Sequence, residues 1–524
     1  MAEQSNDAFL EDTGTLSSIV GTTIGPFGAN KLLVQNNGDV TITASGSSVL
    51  DRYDIENPAV SLLRTGAAGF RSEHRDGTST LVALTGAFLE EAAELQDMGL
   101  HPTAIERGYR TALDVAREYV AERSYPDDEV GADALARTAL TATRDPGLRN
   151  HLGREVGAIA ESLWAESDEP FDAKNVKVVS RVGGALSETE LVRGVVLDKE
   201  PVLESMPRSV AGGIALVSST IDLPHPGSAT SRRSSINLSL APRSFDERVA
   251  FDERERADFE AAIERILDAG CGFVATKAAV NDRVKRTLAN SGLLLVQRVD
   301  DDDVRRLARA TGAEVVAEFD DITADTLGEG TVDVRRKAGR DMTFVETPAN
   351  ERTYTLFCRA PDPRSLDEFS ASVESAVAAV ATARRTGTVV PGGGAAEMGA
   401  SLAIREASRS VESRSQLAVA AAGRALTIVP RVLARTSGLD ATDAVVQLRN
   451  AHSRGDHDAG VDVFLGEIGS VMAGDPIVEP AATKLAVWEG AIDLALQLLR
   501  VDEQLPATDL GDGETAVPED ADGE

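Results

Sequence analysis

Apolar residues recur at helical spacing along the first third of the chain. Residues 56–125 read as helices: Pro58 stands near a start, and Ala59, Leu62, Leu63 and Ala67 then fall on one face. A second helix is predicted from Thr78 to Leu95, and a third opens at Pro102 and carries Ile105, Tyr109, Leu113, Val115 and Ala116. Residues 33–50 look instead like a short hairpin turning at Asn37-Gly38-Asp39, and 131–165 is helical again.

The middle of the chain changes period. Lys177–Arg181, Leu191–Leu197, Ile214–Ser218, Gly270–Thr276 and Gly292–Gln297 read as strands, and helical stretches at 278–290 and 302–311 lie near the last two. That alternation predicts an α/β domain. Residues 221–243 are polar and turn-rich, and 244–267 is a helical stretch with Phe245, Val249, Phe251, Phe259, Ile263 and Ile266 as an apolar stripe. Such a stripe suits either unfolded chains or ordinary packing. After 363 the pattern is helical, broken by the Gly392–Gly394 turn.

Composition narrows the picture. With 524 residues the chain is too long for one core, and two to four domains are expected. The net charge of −32 excludes an electrostatic nucleic-acid binder, since no basic patch stands out. An acidic, evenly spread surface keeps a protein soluble at very high salt, so a halophile's protein is expected. Residues 505–524, rich in Asp, Glu, Gly and Pro, read as a disordered acidic tail. Cys271 and Cys358 are too few for a disulfide framework or a zinc site. The polar start is no signal peptide, and no apolar run reaches the ~18 residues of a membrane span. The expected location is cytoplasmic.

Two glycine-rich segments carry the candidate chemistry. One reads Thr23-Ile24-Gly25-Pro26-Phe27-Gly28, the other Arg75-Asp76-Gly77-Thr78-Ser79-Thr80. Glycines let backbone amides approach an anion, a helix N-terminus adds partial positive charge, and hydroxyls with one carboxylate complete a Mg-phosphate site. A turn with a helix cap is the plainer reading of each alone. Glu73, His74 and Asp76 read as a solvated loop rather than a metal cluster, and no Walker sequence occurs.

Together with Val182-Gly183-Gly184, Glu188–Lys199, Ala308–Ala313, Met342–Glu346, Val390–Glu397, Gly460–Phe464 and Val478-Glu479-Pro480, these segments make the chain resemble the group II chaperonins. The resemblance runs from about Leu16 to Val501. It implies a multidomain α and α/β chaperonin fold. A helical equatorial domain would comprise 1–130 and 388–504, and a small intermediate domain 131–198 and 351–387. The α/β apical domain would span 199–350, with a helical protrusion near 244–267. It also implies ATP or ADP with Mg2+ at Thr23, Ile24, Gly25, Pro26, Asp76, Gly77, Thr78, Ser79, Thr80, Gly393, Gly394 and Glu479. Asp76 would be the metal ligand and Glu479 would lie at the ribose. Homo- or hetero-oligomeric double rings and unfolded protein clients follow from the same resemblance, with neither nucleic acid nor membrane as partner.

The chain departs from the family where water is activated. Ser45 and Ser375 stand at two positions where the family has carboxylates. A hydroxyl with a pKa far above 7 is no general base, so no catalytic residue is assigned and weak or absent hydrolysis is expected. Glu374 is adjacent to Ser375 but turned by ~100° along a helix. Phe27 replaces a family Lys, Thr143 followed by Arg144 stands where a nucleotide-sensing Lys is expected, and Arg75 replaces a glycine in a place to bring a guanidinium near the phosphates. A fully active folding machine using nonstandard residues, and a structural or regulatory protein on this fold, remain the alternatives.

Overall fold

A computed structural model describes residues 6–34, 40–53, 57–165, 173, 176–221, 257, 259–347 and 353–501. Three apolar cores and one small cluster organise these residues.

The largest core joins both ends of the chain. Helices Asn6–Gly21, Pro58–His74, Thr78–Asp97 and Pro102–Arg123 pack with Ala395–Ser408, Ser415–Ala425 and Ala481–Leu499. The starts of these helices have local causes. Asn57 accepts from the Ala59 amide with Pro58 at the first helical position, and His101 caps Pro102–Arg123 in the same way. Trp488, Tyr109 and Phe88 are fully buried, and the Tyr109 hydroxyl donates to the Phe88 carbonyl at 2.7 Å. The stretch Ser415–Thr436 is long and apolar enough to cross a membrane, contrary to expectation, yet 72% of its most apolar 18-residue window is buried. It forms two helices, Ser415–Ala425 and Ile428–Thr436, and their apolar residues, apart from the exposed Leu417, face this core.

The second core lies on a nine-stranded mixed sheet. Strands Ser209–Val217, Cys271–Thr276 and Leu294–Val296 run parallel, with helices Asp282–Asn290 and Asp301–Thr311 between or after them. Alternating strand and helix signals therefore locate the parallel part. They miss Gly328–Lys337, Arg340–Glu346 and Tyr354–Ala360, which join the same sheet through antiparallel ladders. Tyr354–Ala360 also pairs in parallel with Val176–Val182 at the sheet's far edge.

The third core holds helices Ala132–Ala139 and Pro146–Ala165 against Pro363–Thr386, with Leu135, Leu152 and Phe369 at its centre. Asp362 caps the long helix by accepting from the Arg364 and Ser365 amides, and Gly387 ends it in the left-handed region.

Two expectations need correction. The hairpin is shorter than 33–50: its strands are Lys31–Val34 and Val40–Thr43, and Gly46–Arg52 is a helix capped by Ser45. The Asn37-Gly38-Asp39 turn lies outside the described residues. Of the stripe at 244–267, Phe259, Ile263 and Ile266 are buried in the second core, where Phe259 stacks on Phe319. Packing, not exposure, accounts for those three, while Phe245, Val249 and Phe251 lie outside the described residues, as does the 505–524 tail.

Candidate functional site

Two helices begin at glycines without side-chain caps. Gly77 precedes Thr78–Asp97 at φ 81°, and Gly394 precedes Ala395–Ser408 at φ 78°. Neither supplies a side-chain acceptor; the Ala395 amide donates to the Gly392 carbonyl at 3.0 Å, and the other amides of the two first turns, without side-chain caps, are available to an anion. A Cβ on Gly77 would lie 2.6 Å from Val487 Cγ2, and one on Gly394 would lie 2.8 Å from Pro430 Cβ. Both positions therefore need glycine for space as well as for φ.

The first loop is drawn into the same place. Gly25, at φ 81°, sits against Leu433, which shares a helix with Pro430 beside Gly394. The Gly28 amide donates to the Gly25 carbonyl and the Ala29 amide to that of Thr22, which closes the turn around Ile24 and Pro26. Thr23 is buried, and its hydroxyl donates to the Val20 carbonyl at 2.7 Å. A Cβ on Gly46 would meet both Ser79 Oγ at 2.3 Å and Thr23 Oγ1 at 2.9 Å. Segments 23–26, 45–48 and 76–80 thus converge, although 20 to 50 residues of chain separate them.

Asp76 and Glu479 mark the electrostatic centre. Asp76 Oδ1 accepts from the Gly77 amide at 2.8 Å. Its pKa is pushed up to about 6, chiefly by burial and further by Glu479, against the lowering pull of the Gly77 amide and Lys484. Glu479 lies on strand Val478–Pro480, paired with Val390. Gly393, at φ 61°, continues from that paired strand, and the Val461 amide donates to its carbonyl at 2.8 Å.

Lys484 and Glu397 escaped sequence reasoning. Lys484 Nζ lies 2.6 Å from Glu479 Oε2 and 2.7 Å from Glu397 Oε1. Burial opposes the ammonium, but the two carboxylates outweigh it and raise its pKa. Glu397 directly follows the Gly392–Ala396 segment, and that adjacency was the available signal.

The two serines are engaged within the protein. Ser45 Oγ accepts from the Ser48 amide at 3.3 Å and lies 2.9 Å from Ser47 Oγ. Ser375 Oγ donates to the Arg75 carbonyl at 2.9 Å, which sets it beside Asp76. The Arg75 guanidinium, expected near the phosphates, meets a carboxylate of the chain itself. It lies 3.8 Å from Glu374 Oε2 and lines a cleft of about 460 Å³ with Lys177, Arg181, Asp303 and Arg306. Arg75 ends the preceding helix in the left-handed region, at φ 57°, and the carboxylate that draws its guanidinium, Glu374, lies on another helix. Arg144, rather than Thr143, brings a cation to the first loop, with Nε 3.2 Å from the Pro26 carbonyl and its guanidinium over Phe27. Glu368 is a further carboxylate near Ser45. Its Oε1 accepts from the Thr43 hydroxyl at 2.8 Å and the Ala44 amide at 2.7 Å.

Among the described residues no three His, Cys, Asp or Glu side chains converge to hold a metal by themselves. A Mg2+ at Asp76 would take one carboxylate and complete its shell with phosphate and water oxygens, the usual manner for this ion. The open amides, the single carboxylate and the glycine clearances fit a Mg-nucleotide.

The profile of the TCP-1/cpn60 chaperonin family matches residues 16–508. The chain belongs to that family. This chaperonin is 35% identical over 502 residues to a thermosome subunit of Methanopyrus kandleri, covering 94% of this chain and 90% of the relative. Thermosome subunit 1 of Haloferax volcanii is 34% identical over 508 residues, covering 96% and 89%. Thermosome subunit alpha of Halobacterium salinarum is 33% identical over 498 residues, covering 94% and 87%. The chaperonin chain thus spans most of each relative, and the similarity is to group II members.

Proposed function

We propose that the chain is a chaperonin subunit that binds unfolded protein within a double-ring assembly and holds Mg-nucleotide while hydrolysing it weakly. One observation carries the reading. Asp76 and its uncapped glycine loop are intact, while hydroxyls engaged in internal hydrogen bonds stand at both water-activating positions, Ser45 and Ser375. Bound nucleotide would supply the phosphate charge and metal that the two helix N-termini and Asp76 are arranged to meet. The residues of this chain then orient it: Gly25 and Gly393 give close backbone approach, Glu479 faces the sugar side, and Arg144 holds the first loop. No side chain at positions 45 or 375 is basic enough to accept a proton from water.

Ring assembly is supported by the hairpin. Leu32, Val34, Val40 and Ile42 share one face of an isolated two-stranded sheet and are all exposed. A face of that kind on a chain of this charge is an expected contact surface between subunits. The family and the acidic surface together favour a soluble cytoplasmic assembly in a salt-rich cell.

Steady-state ATP turnover of purified protein in molar KCl tests the reading. Turnover about 10²-fold or more below that of a thermosome with both carboxylates is expected, and Ser45→Asp with Ser375→Asp should raise it. Unmutated protein that turns over ATP as fast as such a thermosome, with the activity lost on Asp76→Ala, would instead establish a working ATPase with nonstandard residues.

A further inference from the structure

Lys484 occupies a costly position. It lies in the first turns of helix Ala481–Leu499, where the partial positive charge of the helix end opposes a cation, and it is only 3% exposed. Glu397, its first partner, is fully buried, and its second oxygen, Oε2, has no hydrogen-bond partner among the described residues. A buried ion pair of this kind adds little stability compared with apolar side chains of the same size. Its geometry does something more specific. Glu397 Oε1 and Glu479 Oε2 lie at 2.7 and 2.6 Å from the same ammonium, so Glu397 anchors Lys484 and Lys484 anchors Glu479. The main chain of Glu479 is fixed separately, by its pairing with Val390.

The consequence falls on the other oxygen of Glu479. Oε1 lies toward the glycine turn, 3.2 Å from where a Cβ on Gly392 would stand. Glycine at 392 keeps that side clear. One carboxylate oxygen is thus committed to Lys484, and the other is left as an acceptor beside the nucleotide turn. Asp76 feels the same pair of charges, Glu479 raising its pKa and Lys484 lowering it.

We propose that Lys484, held by Glu397, is a positioning residue that aims Glu479 Oε1 at a nucleotide sugar hydroxyl and so makes the site selective for ribose over deoxyribose. The inference rests on the nucleotide-site reading. An acceptor fixed in place discriminates against a ligand lacking the matching hydroxyl, because the acceptor is then left unpaired. An acceptor free to rotate relaxes into water and discriminates little.

The test is calorimetry on the full chain in molar KCl with Mg-ADP, Mg-2′-deoxy-ADP and Mg-3′-deoxy-ADP. Unmutated protein is expected to bind ADP about tenfold or more tightly than one of the two deoxy forms. Lys484→Met should bring that ratio near one, chiefly by weakening ADP. Lys484→Met leaves Glu397 charged and unpaired, so the double variant Glu397→Gln with Lys484→Met is measured too, with thermal unfolding and light scattering to establish its fold. Glu479→Gln, at a partly exposed side chain, is the third arm and should lose the same ratio. A folded double variant that keeps the full ratio overturns the positioning role. A Glu479→Gln protein that keeps it overturns the role as well, since Lys484 then has nothing to aim. Unmutated protein that binds ADP without any sugar preference overturns this inference and leaves the nucleotide site standing. Unmutated protein that binds no nucleotide overturns both.

Discussion

A carboxylate that is to meet a divalent cation has to be ionised, and Asp76 sits where ionisation is opposed. Its pKa of about 6 sets the direction of two effects. Mg-nucleotide affinity should fall as pH drops from 7.5 through about 6 toward 5, because the protonated carboxyl no longer attracts the metal. Calorimetry across that range checks it, and Asp76→Asn should bind weakly with a flat profile. Folding responds with the opposite sign. The folded state holds the Asp76 proton more tightly than the unfolded chain, so this group's contribution to stability declines as pH rises from 3.8 to about 6 and is constant above. Asp76→Asn should therefore raise the unfolding free energy at pH 7.5 slightly, by about 1–2 kcal/mol after allowance for solvent, seen as a higher unfolding midpoint. A variant less stable than the unmutated protein at that pH would show that Asp76 is held by favourable contacts rather than against its burial.

Among the elements, helix Pro363–Thr386 does the most to join distant parts of the chain. Arg364 donates to the Val40 carbonyl, Glu368 accepts from Thr43 and Ala44, Ser372 accepts from the Ala142 amide, and Ser375 donates to Arg75. The helix thus bears on the hairpin, on the 139–142 turn and on the phosphate-loop side. Glu368 is its main polar grip on the hairpin, since one carboxylate oxygen takes two donors. Glu368→Ala should cost about 1–3 kcal/mol locally, read as faster hydrogen exchange at Ala44 with global unfolding nearly unchanged. Exchange at Ala44 unchanged in the variant would mean that the helix and hairpin are held by packing alone. Loss of Ser375 would release a contact to the residue before Asp76, so this helix and the site are mechanically linked.

For the whole molecule the dominant quantity is the charge of −32. Subunits carrying it repel at low ionic strength, where the Debye length is ~10 Å at 0.1 M salt, and far less at ~3 Å in 1 M salt. Apolar contact, including any made through Leu32, Val34, Val40 and Ile42, is not screened in this way. Assembly should therefore appear as salt rises. Size-exclusion with light scattering across roughly 0.1–3 M KCl is the measurement. A monomer at the high-salt end, alone and with partner subunits, would end the ring reading. An intact ring at the low-salt end would mean that contact outweighs repulsion and that the acidity reflects no need for salt.

The sequence by itself determined what is local. Helices opened by Pro58, Pro102 and Pro363, the strands of the parallel sheet and the two glycine turns are legible because dihedral preference and periodicity act within a few residues. Resemblance to a family added the order of the site segments and the loss of carboxylates at Ser45 and Ser375. Tertiary structure decided the remainder. Strands 328–337 and 340–346 pair locally as a hairpin turned at Ala338-Gly339, but their places in the sheet, and that of 354–360, are set by partners far along the chain. Lys484 finds Glu397 across 87 residues, and Thr43 finds Glu368 across 325. The direction of Arg75 was settled by a carboxylate on another helix. Charge and hydrogen bonding act through space, and only the folded chain brings such groups within a few ångströms of one another.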